Sequence, residues 1–178
     1  GDITFAGGSI TIGDGDTDVT NDVANANTGR VFVRDGRVTA GKDAAFGDGS
    51  TLIVADGGSV DFGDFDQTLG VLEARGDNAL VGGKDSVITI TDDMIVTGKN
   101  DGFHSKLELK FSGEGLVTDV DGLGDGDISI GEDYTLILAD EKLFGEDKNL
   151  VENNIDGAGT VVIGSDGATG IIKLGGKN

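Results

Sequence analysis

The sequence has no cysteine and no proline, and each absence excludes a class of proteins. Without cysteine the chain forms neither disulfides nor thiolate metal sites. Without proline it is not a collagen, because the collagen triple helix needs imino acids beside its periodic glycine. No apolar run reaches the roughly 18 residues that suggest a transmembrane helix. We therefore expect no insertion into a membrane.

Basic residues are also scarce. The chain has 13 Lys and Arg against 33 Asp and Glu, a formal net charge of -20. A surface this acidic repels nucleic acid and anionic membranes, because binding either one depends on Lys and Arg. It attracts cations, above all calcium, whose preferred ligands are carboxylate and carbonyl oxygens. We expect no nucleic-acid partner, and calcium is the one cofactor that the composition suggests.

Glycine and short aliphatic blocks are abundant. There are 33 glycines, and blocks such as "RVFVR" (30–34), "STLIVA" (50–55) and "YTLILA" (134–139) alternate apolar with other residues. This alternation is typical of half-buried β-strands. Almost every gap between blocks holds Gly, Asp or Asn, the residues that form turns. The sequence predicts a single all-β domain over residues 1–178.

Two all-β arrangements fit these strands. "RVFVRDGRVTAG" (30–41) is a strong hairpin signal, because Asp-Gly suits a type I′ turn, and a series of hairpins would form an antiparallel β-sandwich. However, strong strands recur at intervals of about 16 to 21 residues, which is typical of a β-solenoid. Turn lengths vary while strand lengths do not, as solenoids tolerate. We predict a parallel solenoid of about eight coils of roughly 20 residues, in which "ADGG" (55–58) is a corner.

A longer echo suggests an internal duplication. "FGDGSTLIVAD" (46–56) matches "IGEDYTLILAD" (130–140) at an offset of 84 residues. That offset equals about four coils of the predicted length. We predict that residues 46–90 are echoed by residues 130–174.

One segment resembles a known family. "GGSVDFGDFDQTLGVLEARGDNALVGGKDSVITI" (57–90) is similar to the autotransporter-associated β-strand repeat of bacterial autotransporter passengers, and residues 153–176 look like the same unit. The step that carries the likeness consists of Gln67, Thr68, Leu69, Gly70 and Leu72, with corners at Gly76, Gly82 and Gly83. The resemblance implies a right-handed parallel β-helix, displayed at the surface of a Gram-negative-type cell. It implies a structural role as stalk, adhesin scaffold or assembly subunit. A surface-layer or filament subunit is the alternative.

Two aspartate clusters are candidate calcium sites. "GDGDTDVTND" (13–22) and "DVDGLGDGD" (119–127) alternate Asp with small residues, so several carboxylates could reach one hard cation. Neither cluster is an EF-hand, and solvated acidic turns are the alternative interpretation. The candidate ligands are Asp14, Asp16, Asp18, Asp22, Asp119, Asp121, Asp125 and Asp127.

Catalysis has little support. His104 is the only histidine, next to Ser105 and near Asp101. A Ser-His-Asp triad needs convergence in space on a pocket, not adjacency along the chain. We therefore expect no enzyme. The alternative is a polysaccharide lyase or hydrolase, which would use convergent carboxylates.

Two kinds of partner remain. The strand-like termini "GDITFAGG" and "IIKLGGKN" predict either continuation in a longer chain or head-to-tail stacking of copies, with calcium screening the charge. Host or matrix glycans are the other possible partner. The candidate aromatics for glycan binding are Phe65, Phe103 and Tyr134. Arg30, Arg34 and Arg37 could line one face, although ion pairs with the acidic surface are the favoured use for them.

Overall fold

The structure, a computed structural model, describes residues 9–12, 18–21, 29–140, 143, 153–165 and 168–173. It is a parallel β-solenoid of about six turns, 48% strand and 4% helix, so the predicted fold is confirmed with fewer coils than the predicted eight. No helix among these residues is long and apolar enough to cross a membrane. The described strands are β1 (Ser9–Ile12), β2 (Asp18–Asn21), β3 (Arg30–Val33), β4 (Gly36–Ala40), β5 (Ser50–Val54), β6 (Gly58–Asp61), β7 (Gln67–Ala74), β8 (Leu80–Val81), β9 (Val87–Ile90), β10 (Met94–Val96), β11 (Lys106–Leu109), β12 (Glu114–Val117), β13 (Ile128–Ile130), β14 (Thr135–Leu138), β15 (Ile155–Gly157), β16 (Thr160–Ser165) and β17 (Ala168–Lys173).

The strands stack into three faces. Face 1 contains β1, β3, β5, the second half of β7, β10, β12, β14 and β16, all parallel. Face 2 contains the first half of β7, β9, β11, β13 and β15. Face 3 contains β2, β4, β6 and β8 and continues as a bridge between Gly82 and Phe103. Each coil therefore runs from face 1 through face 3 to face 2.

The coil length is close to the period predicted from the sequence. On face 1, Val31 lies opposite Leu52, Leu52 opposite Leu72, and Leu72 opposite Met94. These offsets are 21, 20 and 22 residues. Because strands pair between coils and not within one, the partner of any residue lies about one period away in the sequence.

The hairpin interpretation of "RVFVRDGRVTAG" is wrong. β3 and β4 do not pair with each other, because β3 pairs with β1 and β5 while β4 pairs with β2 and β6. The Asp-Gly step between them is a corner, in which Asp35 Oδ1 accepts a hydrogen bond of 2.8 Å from the backbone N–H of Gly36. "ADGG" is likewise a corner between β5 and β6. Only β16 and β17 form an antiparallel pair among the described strands, which excludes the sandwich.

The core fills the interior with one side of every strand. In β5 the inward residues are Ser50, Leu52 and Val54, all 0% exposed. Three phenylalanines form an aromatic stack: the ring centroids of Phe46 and Phe62 are 5.9 Å apart, and those of Phe62 and Phe103 are 6.2 Å apart. The narrow interior therefore needs few aromatic residues and many aliphatic ones.

The two echoed segments occupy equivalent places. β5 and β14 lie on face 1 four steps apart, and Leu52 and Leu136 stand in the same inward column. The equal spacing ends after β14, because Leu136 pairs with Val161, 25 residues later. The positions suit a duplication of four coils, and the duplication itself stays a prediction.

Close stacking at the corners explains much of the glycine. A Cβ on Gly98 would lie 2.2 Å from the carbonyl carbon and oxygen of Gly76 in the preceding coil. A Cβ on Gly102, four residues later, would meet nothing closer than the Val81 methyl groups at 3.5 Å. Glycine is therefore required at the first position and replaceable at the second.

We expect Gly98→Ala to lower the free energy of unfolding by about 1–3 kcal/mol, because the backbone must shift to admit the methyl group. The matched change Gly102→Ala should alter it by less than about 0.5 kcal/mol. Urea denaturation followed by circular dichroism measures both. Equal losses in the two variants would contradict this account of the corner.

Candidate functional sites on the solenoid surface

The second aspartate cluster surrounds the 3₁₀ turn Val120–Leu123 on face 3. Asp119 caps this turn, since its Oδ1 accepts a hydrogen bond of 3.1 Å from the backbone N–H of Asp121. Among the described residues, no three carboxylate or imidazole groups are arranged to hold a metal ion. Asp14, Asp16 and Asp22 lie outside the described residues, and only the backbone of Asp18 is described, in β2. Calcium binding stays a prediction.

Asp125 and Asp127 lie instead in a cleft of about 280 Å³ with Lys84, His104 and Lys106. The cleft follows the corner between face 3 and face 2. Its three basic groups disfavour a bound cation, because they offset the charge of the two carboxylates. The structure thus separates these two aspartates from Asp119 and Asp121, with which the sequence grouped them.

His104 does not form a Ser-His-Asp arrangement with its sequence neighbours. Its Nδ1 is 2.6 Å from Oδ1 of Asp125, one coil away, and this hydrogen bond lowers the pKa of Asp125 below its ordinary value. Ser105 is 0% exposed and faces the interior. Asp101 pairs with Lys99 at 2.9 Å. The nucleophile and base positions of a triad are therefore on opposite sides of one strand.

A buried asparagine joins three coils. Asn100 is 0% exposed. Its Oδ1 accepts a hydrogen bond of 2.9 Å from the backbone N–H of Leu80, and its Nδ2 donates one of 2.9 Å to the carbonyl of Gly122. Those partners lie in the preceding and the following coil. The side chain thus replaces backbone pairing where strand geometry is lost at a corner.

Two other buried side chains act in the same way. Asp140 Oδ2 accepts from the backbone N–H of Val120 at 3.0 Å, 20 residues before it, as Asn100 does from Leu80. Gln67 donates from Nε2 to the carbonyl of Lys42 at 3.0 Å, in the preceding coil. The glutamine of the "QTLG" step is therefore a buried coil-to-coil tie.

We expect Asn100→Ala to lower the free energy of unfolding by at least about 2 kcal/mol, because it leaves a buried donor and a buried acceptor unpaired. Asp140→Asn keeps the accepting oxygen and should change it by less than about 1 kcal/mol. Chemical denaturation of both variants tests the comparison. A neutral Asn100→Ala would show that the ties contribute little.

Tyr134, the only tyrosine, is buried at the corner between face 2 and face 1. It is 0% exposed, and its Oη has no hydrogen-bond partner among the described residues. Its ring fits only because position 113 is glycine, where a Cβ would lie 2.6 Å from Cε2. Burial raises the pKa of Tyr134 far above its ordinary value, and the charges of Asp93, Asp92 and Glu114 raise it further.

The raised pKa predicts a loss of stability in alkali. Above pH of about 10 an unfolded chain loses the tyrosine proton that the folded chain retains, so stability falls as pH rises beyond that value. Tyrosinate absorbance should therefore appear only when circular dichroism shows unfolding, and the absence of tryptophan makes this signal clean.

Tyr134→Phe is the control. It should weaken the alkaline loss and raise stability at neutral pH by about 1 kcal/mol, because it removes a buried hydroxyl without a partner. Reversible tyrosinate formation near pH 10 with intact structure would contradict the buried environment.

The outer surface of face 1 carries an apolar column, whereas the corresponding column of face 2 is polar. Stacked outward residues of face 2 are Thr68, Thr89, Glu108 and Ser129. Glu73 is the one charged residue in the described part of the face 1 column. The other members are half-buried: Phe32, Ile53, Ile95, Leu116, Ile137 and Val162.

At its N-terminal end the apolar column forms a cleft of about 300 Å³, which we call the arginine cleft. It is lined by Arg30, Phe32, Ile53, Ala55, Glu73 and Arg75. Arg75 pairs with Glu73, which lies beside it. Arg30 has no ion pair among the described residues and is exposed.

The arginines differ from the expectation that Arg30, Arg34 and Arg37 line one face. Arg37 belongs to β4 on face 3 and pairs with Asp61, the ion-pair use that the sequence favoured. Arg75, 45 residues after Arg30, shares the cleft instead. Strand register was the signal that would have found it, because the column Phe32–Ile53–Glu73 follows from offsets of 21 and 20 residues.

The aromatics named for glycan binding do not form an exposed row. Phe103 and Tyr134 are 0% exposed, and Phe65 packs partly buried against the core. Phe111 is instead the exposed one, at 70%, beside the corner between face 2 and face 1. On face 1, Phe32 is the half-buried aromatic of the apolar column.

Comparison with known proteins returned no match: none among protein-family models, none among curated proteins and none among solved structures. The argument about function therefore depends on the geometry of this chain.

Proposed function

We propose that this chain is a structural segment of an exported bacterial surface protein, in which the solenoid acts as a stalk or scaffold. The observation that supports it is the parallel ladder of face 1, which runs from β1 to β16 with every strand paired to the next. Eight strands about 4.8 Å apart span about 34 Å. Such a ladder holds its two ends at a fixed separation.

The use of the buried polar groups supports the same role. Gln67, Asn100 and Asp140 all make hydrogen bonds between coils, so their chemistry is spent on holding the stack together. The acidic exterior, at -20 overall, opposes sideways association of neighbouring solenoids. A separate rod with rigid corners is what a stalk requires.

The "QTLG" step supports a passenger-like origin. β7 passes from face 2 to face 1 at Gly70, where a Cβ would lie 2.7 Å from the carbonyl oxygen of Gly49. Gln67 ties the same turn to the preceding coil. The residues that carry the resemblance to autotransporter passengers therefore serve coil stacking, which is what a repeat of a passenger solenoid has to do.

Surface labelling of the producing cells tests the proposal. An antibody against this chain should label intact cells, and mild protease treatment of intact cells should remove the epitope. A cytoplasmic protein detected only after permeabilisation is the control. Labelling that appears only in permeabilised cells would overturn the proposed location.

A pair of deletions tests the role as a spacer. Removing residues 72–93 takes out one coil in register, because Leu72 and Met94 occupy the same column. The shortened chain should remain folded and displayed, since no single coil of a spacer is essential. A deletion of about half a coil breaks the column register and should abolish both. Loss of display with retained folding in the first deletion would contradict a purely structural role.

A further inference from the structure

We propose that the arginine cleft binds an acidic oligosaccharide, whose carboxylates pair with Arg30 and Arg75 while its sugar rings pack on Phe32 and Ile53. This inference goes beyond the stalk function and does not depend on it.

The first argument is charge. The chain carries -20 and only four arginines, yet two of them line one cleft of about 300 Å³. Arg30 has no ion pair among the described residues, and the Arg75 side chain is 57% exposed beside its partner Glu73. A guanidinium presents five N–H donors in a planar fork that matches a carboxylate. Both arginines therefore have donors left for an anionic ligand.

The second argument is the spacing of the arginines. Arg30 begins β3 and Arg75 follows β7, so they are separated by two coils and by four strand positions. This corresponds to about 10 Å along the solenoid and about 13 Å along the strands. An extended chain with carboxylates on separate sugars can reach both arginines at once.

The third argument is the floor of the cleft. Phe32 and Ile53 are stacked neighbours on adjacent strands, and both are half-buried with one side open. A pyranose ring has an apolar face of C–H groups and a polar edge. Its apolar face can cover Phe32 and Ile53, and its hydroxyl groups can donate to Glu73.

The same reasoning disfavours an acidic peptide. The strands of face 1 are already paired on both sides within the ladder, so a peptide cannot add here as a further strand. Glu73 would repel peptide carboxylates, whereas it accepts hydrogen bonds from sugar hydroxyls.

The site is confined to the first coils. Beyond Glu73 the apolar column continues through Ile95 and Leu116, but Asp93 and Glu114 flank it there. These carboxylates repel an anionic chain. The ligand is therefore expected to occupy the N-terminal part of face 1 alone.

Calorimetric titration of the full chain with hexagalacturonate tests the proposal, with an uncharged hexasaccharide and hexaglutamate as comparison ligands. Arg30→Gln should weaken hexagalacturonate binding at least about tenfold, because it removes one of the two carboxylate contacts. Arg37→Gln is the matched control: it makes the same change in net charge on face 3 and should bind as the unchanged chain does. Phe32→Thr should also weaken binding, by removing the apolar floor.

Circular dichroism of each variant confirms folding before the titration. The proposal is overturned if hexagalacturonate produces no heat at millimolar concentration, or if the two arginine variants lose affinity equally. Binding of hexaglutamate as tight as that of hexagalacturonate would overturn the sugar as occupant, and equal binding of the uncharged hexasaccharide would overturn the role of the arginines.

Discussion

The parallel backbone hydrogen bonds between coils fix a rise of about 4.8 Å, and the rest of the structure adapts to that distance. At the corners the backbones of successive coils approach so closely that side chains have no room. A Cβ on Gly58, the last residue of "ADGG", would lie 2.5 Å from the carbonyl oxygen of Val33. The high glycine content is thus a consequence of stacking and not a sign of flexibility.

The same rise turns every position into a column. A residue meets its counterparts about 4.8 Å above and below, so like charges in one column repel and like aliphatic side chains pack. In face 2 the single carboxylate Glu108 stands between Thr89 and Ser129. Hydrogen bonds from Lys110 and then Lys106 lower its pKa, which keeps it ionised. The remaining acidic residues concentrate at corners, where solvent separates them.

Strand identity and coil length were predictable because they depend on local composition and on a period visible in the sequence. Strand pairing was not, since "RVFVRDGRVTAG" has the turn chemistry of a hairpin and still forms a corner between unpaired strands. The Asp-Gly step satisfies either geometry, and Asp35 makes the same short-range hydrogen bond in both. What decides is the competition for partners: β3 gains β1 and β5 on both edges, whereas a hairpin would leave one edge open.

The surface sites were missed for a related reason. Grouping Arg30 with Arg37 used proximity along the chain, but the two residues lie on different faces, because a corner separates β3 from β4. The neighbours that matter to Arg30 lie one or two coils away, in Ile53 and Arg75. In a solenoid a functional surface is assembled down the columns, so sequence alignment at the coil period reveals it where motif searches along the chain do not. Basic residues border the apolar column only in its first coils, which divides the molecule into a binding end and a spacing end.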